Sequence, residues 1–126
     1  MKVKIDTKEK FNVISINEPI LSANMTEELE EKLLMYLNSL NKNVVLKIGD
    51  VTSIDETVAH KIANVQQAFY ESNASFVICE LQKQVEEFLD KLEILEVMNI
   101  TPTESEAWDI IQMEEIEREF DTPNPY

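Results

Sequence analysis

A chain of 126 residues that is 44% hydrophobic makes one domain with a core of its own and needs no disulfide staples. Its 25 Asp and Glu outnumber 11 Lys and Arg, for a net charge of −14. That balance argues against nucleic acid, which takes clustered cations to release phosphate counterions, and against docking on an anionic membrane; it suits a basic-faced partner, or solubility alone.

Lys2 to Asp6 and Phe11 to Asn17 alternate as two strands joined by the polar turn Thr7-Lys8-Glu9-Lys10. In the second, Phe11 and Val13 point one way and Ile14 and Ile16 the other, as in an interior strand covered on parts of both faces. Asn24 or Thr26 then caps a helix with an acidic first turn. Its stripe is Leu29, Leu33, Tyr36, Leu37 and Leu40, and Glu27, Glu28, Glu30, Glu31 and Lys32 form the solvated face. Asn43 to Ile48 is the next strand, with Val44, Leu46 and Ile48 on one face. After a loop from Gly49 to Ser53, a second helix runs from Glu56 to Glu71, striped by Val58, Ile62, Val65 and Phe69. Small Ala59 and Ala63 beside that stripe allow close approach to a sheet. Ser75 to Cys79 is a near-continuous apolar run, typical of a buried central strand. A third helix spans Gln84 to Leu92 on Val85, Phe88, Leu89 and Leu92, and Glu96 to Ile100 is a short last strand. Thr103 and Glu106 form a capping box for a final helix that ends near Phe120, with Trp108 beside Ile111 in the core.

The order β-β-α-β-α-β-α-β-α is that of an α/β domain. It implies right-handed crossovers and a mixed sheet of four to five strands, mainly parallel inside, with about four helices. Only the first two strands, joined by a short turn, form an antiparallel pair. Residues 1–120 make a single domain, and 121–126, with two prolines, a flexible tail.

The inventory for chemistry is short. One Cys (Cys79) rules out an internal disulfide, and a zinc site or a Ser-His-Asp triad would have to be assembled around one His (His60). One Gly (Gly49) excludes the Walker A and GxGxxG phosphate loops, each of which needs at least two. No run approaches the ~20 apolar residues of a membrane span, and Met1 to Asp6 lacks signal-peptide character. A cytoplasmic domain with no enzyme activity, no cofactor and no metal is the expectation. Asp50, Asp55 and Glu56 cluster around one loop, yet their spacing does not converge as an acid–base pair or a divalent-cation site requires. Cys79 reads as a small core hydrophobe.

These segments, in their order and spacing, resemble the STAS family: the anti-sigma factor antagonists and the cytoplasmic domains of sulfate transporters. The resemblance is carried by Phe11 to Ile16 followed by Ser22-Ala23-Asn24, by Asn43 to Ile48, and by Gly49 to Asp55 leading into a helix. Phe76 to Leu81, leading into Gln84 to Leu92, completes it, and the whole covers roughly Met1 to Glu117. It implies a mixed sheet packed by helices and used for protein interaction. It also implies a switch, because in the family an Asp-Ser-Ser/Thr-Gly motif opens the second helix. The first Ser of that motif is phosphorylated by a partner that is both a serine kinase and an anti-sigma factor. Here Asp55 matches the Asp, Glu56 stands at the phosphorylated Ser, Thr57 takes the second hydroxyl position and Val58 replaces the Gly. In the earlier loop Asn24 matches, and Leu21 sits where many members carry an acid. The scaffold is kept and the switch is altered.

Glu56 then has two readings. A carboxylate at a helix N-terminus imitates phosphoserine in part, with one charge in place of about two. Alternatively, Ser53-Ile-Asp-Glu56 is a capping box that satisfies an orphan backbone donor. Thr57 is either a first-turn Thr or a phosphoacceptor, and His60, off the apolar stripe, faces solvent or a partner. The expected partner-binding residues are Ser22, Asn24, Asp50, Thr52, Ser53, Asp55, Glu56, Thr57, His60 and Lys61. The expected function is that of an anti-sigma factor antagonist, or a diverged relative, binding an anti-sigma factor of the ATPase-type serine-kinase class. The alternative is a small-ligand-binding or scaffold domain regulating a transporter or a larger sensing assembly.

Overall fold

The computed structural model describes residues 1–121. Five of the expected tail residues, 122–126, lie outside them, and the sixth, Asp121, ends the last helix.

The first strand, β1 (Val3–Thr7), turns back into β2 (Asn12–Ile16), antiparallel, with Val3 opposite Ile16 and Thr7 opposite Asn12. From there every pairing in the sheet is parallel: β2 with β4 (Val44–Lys47), β4 with β6 (Phe76–Cys79) and β6 with β7 (Ile100–Thr101). The order β1-β2-β4-β6-β7 puts the two apolar runs at its centre, with Leu46 beside Ile78.

These inner strands are apolar at consecutive residues because helices cover both faces. On one face Ile14, Val44, Leu46, Phe76 and Ile78 meet three helices. Leu29 and Leu33 come from α1 (Thr26–Leu34), Val58, Ile62, Val65 and Phe69 from α2 (Glu56–Glu71), and Val85 and Leu89 from α3 (Lys83–Lys91). On the other face Phe11, Val13, Val45, Val77 and Cys79 are covered by Ala107 and Ile111 of α4 (Glu104–Asp121). Trp108 stacks on Phe11 with ring centres 5.1 Å apart. The Thr103 cap forms as expected, its Oγ1 accepting the Glu106 N–H at 3.2 Å.

Three local expectations give way. First, α1 ends at Leu34 and tightens into a 3₁₀ turn, Met35–Asn38. Tyr36 and Leu37 still reach the core, but with about three residues per turn the stripe slips, and Leu40 is fully exposed. Second, neither Asn24 nor Thr26 caps α1. The 3₁₀ turn Ala23–Met25 leads into the helix, and the Thr26 hydroxyl donates back to the Ala23 carbonyl at 2.7 Å. Third, Glu96 belongs to a 3₁₀ turn, Leu95–Val97, so the last strand is only Ile100–Thr101. Asn43 lies just outside β4 as a buried polar clip. Its Nδ2 donates to the Lys10 carbonyl and to Glu115, and its Oδ1 accepts the Ser75 N–H at 2.8 Å. No helix among the described residues is long and apolar enough to cross a membrane.

Candidate protein-interaction site

Parallel strands β2, β4 and β6 end at one pole, where open α/β sheets present their loops. The loop leaving β4 starts tightly, with the Val51 N–H donating to the Ile48 carbonyl at 3.0 Å and the Val51 side chain fully buried. Gly49 lies against the next crossover: a Cβ there would meet Glu80 Oε1 at 2.9 Å, so any other residue displaces that side chain. Its carbonyl accepts from Gln82 Nε2 at 2.8 Å, tying the loop to the start of α3.

A two-residue parallel pair, β3 (Ile20–Leu21) with β5 (Ser53–Ile54), forms the next part of the site and was not expected. The Pro19 carbonyl accepts the N–H groups of Thr52 (2.7 Å) and Ser53 (3.3 Å), together with the Thr52 hydroxyl (2.9 Å). The Leu21 carbonyl accepts the Asp55 N–H at 2.8 Å, and Leu21 and Ile54 are buried beneath. This clasp brings Ser22 and Asn24, whose side chains hydrogen-bond each other, alongside Asp55 at the start of α2.

Asp55 is the cap of α2, extended in backbone, with Oδ1 accepting the Thr57 N–H at 2.8 Å. The expected Ser53–Glu56 capping box is therefore absent. Pairing with β3 holds Ser53 in a strand, so the cap falls on the next polar residue that can reach the helix. Glu56, the first residue of α2, is left exposed, its carboxylate 3.5 Å from Nε2 of His60 one turn along. Thr57 is exposed as well. Lys61 reaches across to α1, its Nζ 3.0 Å from Glu30, so that glutamate is partly buried and paired, not solvated.

Asp50 is held at the end of β2 by Asn17 Nδ2, at 3.0 Å. It lines a cavity of about 250 Å³ together with Lys4, Ser15, Lys47 and Glu80, residues that sequence reasoning passed over. One signal was available, since Lys47 is the lone charge inside the apolar run from Val44 to Ile48. Its Nζ lies 3.3 Å from Glu80 and 3.2 Å from Glu104. Burial alone would lower the Lys47 pKa, but its hydrogen bonds to the Glu104 and Glu80 carboxylates, and their charges, outweigh it, and the net shift is upward.

The three carboxylates of the loop thus have separate partners: Asn17 for Asp50, the Thr57 amide for Asp55, His60 for Glu56. Among the described residues no three His, Cys, Asp or Glu side chains gather as a metal site would need. Cys79 is buried, and burial, helped by the Glu80 charge, pushes its thiol up to about 12, so it is no nucleophile at neutral pH.

The family model of the STAS domain matches residues 2–107. No curated protein matches the chain in sequence. Among solved structures, a putative anti-sigma factor antagonist from Thermotoga maritima is 20% identical, with a TM-score of 0.74 over 87% of this chain and 94% of that one. A serine-to-glutamate variant of RsbS from Moorella thermoacetica is 18% identical, with a TM-score of 0.75 over 94% of this chain and 99% of that one. The murine anion transporter solute carrier 26 family member A9 is 13% identical, with a TM-score of 0.68 over 82% of this chain and 18% of that one. At such identities the likeness is one of fold. The family match, running from β1 into the first turn of α4, settles the membership: the chain belongs to the STAS domain family.

Proposed function

We propose that this STAS domain acts in the cytoplasm as an anti-sigma factor antagonist, or a diverged relative, and binds an anti-sigma factor of the ATPase-type serine-kinase class. The docking surface is the loop from Gly49 to Thr57 with the exposed start of α2 and the adjoining Ser22 and Asn24. Asp50, Thr52, Ser53, Asp55, His60 and Lys61 complete it. One observation carries this reading. Asp55 already caps α2, so Glu56 has no capping duty, and its exposed carboxylate stands at the positive end of the helix. That is where the family resemblance puts the phosphorylated serine, and a carboxylate there supplies one of the roughly two charges of a phosphate. A kinase cannot phosphorylate it, so the domain presents to its partner one state at position 56 that phosphorylation does not change.

Incubation with an anti-sigma serine kinase and ATP, followed by mass spectrometry and a binding titration, tests the proposal. The native protein is expected to take no phosphate and to bind weakly. Glu56→Ser is expected to bind about tenfold more tightly and to accept one phosphate at position 56. Phosphate on Thr57 of the native protein would overturn the fixed state, and equal binding of native, Glu56→Ser and Glu56→Gln would remove position 56 from the interface.

A second reading, a small-ligand or scaffold domain serving a transporter or sensing assembly, is favoured by the cavity at Lys47, Asp50 and Glu80 beside the loop. Genes for permease components next to this one, in place of a kinase and a sigma factor, would favour it over the first.

A further inference from the structure

Helix α4 is apolar on two sides. Ala107 and Ile111 are buried against the sheet, whereas Met113 (60%), Ile116 (53%) and Phe120 (83%) are exposed. At about 100° per residue these three fall within roughly 60° of one another and opposite Ile111. Their i, i+3, i+7 spacing makes one stripe about 10 Å long. Among the described side chains of the helix the exposed charges are Glu106, Asp109, Glu117 and Glu119, all acidic. Its single basic residue, Arg118, is partly buried, its Nη1 donating to the Ser75 hydroxyl at 3.2 Å. The exposed positions of α1 and α3 are all polar, and those of α2 are polar apart from Tyr70.

We propose that the outer face of α4 docks a basic amphipathic helix of a partner protein. Three apolar anchors rimmed by carboxylates complement a helix with its own apolar residues at i, i+3 or i+4 and i+7, flanked by Lys and Arg. The charge selects this occupant. A second copy of α4 would set carboxylate rims against each other, and an anionic lipid surface would be repelled in the same way. The stripe lies beyond residue 107, where the family match ends, and α4 covers the sheet face opposite α2. A helix seated there leaves the Glu56 pole open, so the domain holds two partners at once.

The test uses the full chain and a synthetic Leu/Lys amphipathic peptide of about 18 residues, long enough to form a helix on binding. A scrambled peptide of identical composition is the control. In NMR titrations the amphipathic peptide is expected to shift resonances of Met113, Ile116 and Phe120 and to leave the start of α2 unchanged. The double variant Ile116→Ser with Phe120→Ser, whose sites are exposed, is expected to keep its spectrum elsewhere and to lose about tenfold or more in affinity. Equal binding of the scrambled peptide, shifts spread over the whole acidic surface, or undiminished affinity of the double variant would overturn the proposal. So would sedimentation showing a dimer that the double variant dissolves, which makes a second copy the occupant. Flotation with phosphatidylcholine–phosphatidylglycerol vesicles, lost in the double variant, would overturn it in favour of a membrane.

Discussion

Asp55 closes the first turn of α2 with a single acceptor, and the loss of that acceptor is measurable. Asp55→Ala is expected to cost about 1 kcal/mol, seen as a lower urea midpoint at unchanged slope. Glu56→Gln, at an exposed position without a capping bond, is expected to cost less than that. The reverse order would return the cap to Glu56. Cys79 offers a second measurement, in pH. The unfolded thiol ionises near 9.0 and the folded one at about 12. Between those values the native state keeps a proton that the unfolded state has lost. The stability tied to the thiol is therefore complete below the unfolded pKa and falls as pH rises through that window. Cys79→Val, which keeps an apolar side chain at the site, is expected to flatten the fall of the unfolding midpoint between about pH 9 and 11. Lys47 loses its own contribution with rising pH in both proteins, since its folded pKa is also raised, so the difference between them isolates the thiol. An unchanged slope in the variant would show that Cys79 contributes nothing to alkaline unfolding.

Among the elements, the ends of the helices are the informative places. Both α2 and α3 finish with a residue in the left-handed region, Asn73 at φ 57° and Glu93 at φ 60°. Asn tolerates that conformation, whereas Glu is strained in it. Glu93 is exposed, so Glu93→Gly is expected to raise stability by about 0.5–1 kcal/mol despite the looser unfolded chain, read as a higher thermal midpoint. Glu80 shares the backbone geometry at φ 63° but faces Lys47, and there glycine is expected to lose the ion pair that Glu93 never had. The helices themselves were legible because each carries a stripe repeated over several turns; α2 was read from Glu56 to Glu71, the bounds it has. The clasp of β3 and β5 was not. Two residues are too few to show a period of two, and their pairing rests on the carbonyls of Pro19 and Leu21, which no side chain advertises.

For the whole molecule, the sheet centre bears the largest cost of change. Leu46 and Ile78 are paired, buried and covered by helices, and either residue replaced by Ala is expected to cost about 2–5 kcal/mol in equilibrium unfolding. The net charge of −14 acts at longer range. With a basic-faced partner the association rate is expected to fall steeply with salt while dissociation hardly changes. An association rate independent of salt would assign the charge to solubility alone.

Apolar period and its interruption were enough to place β1, β2, β4, β6 and the four helices, to set which strands face helices on both sides, and to restrict the antiparallel pairing to β1 and β2. Each of those depends on side chains repeated along a local stretch, and such repeats are written in consecutive residues. The cap of α2, the pairing of Lys61 with Glu30, the fate of Leu40 and the second apolar face of α4 were decided by the fold. Each turns on which distant segment arrives alongside: β3 against β5, α1 against α2, the sheet against one side of α4 only. Glu56 shows the difference in one residue, since its identity is local and its release from capping follows from a strand pair formed between residues 33 apart in the chain.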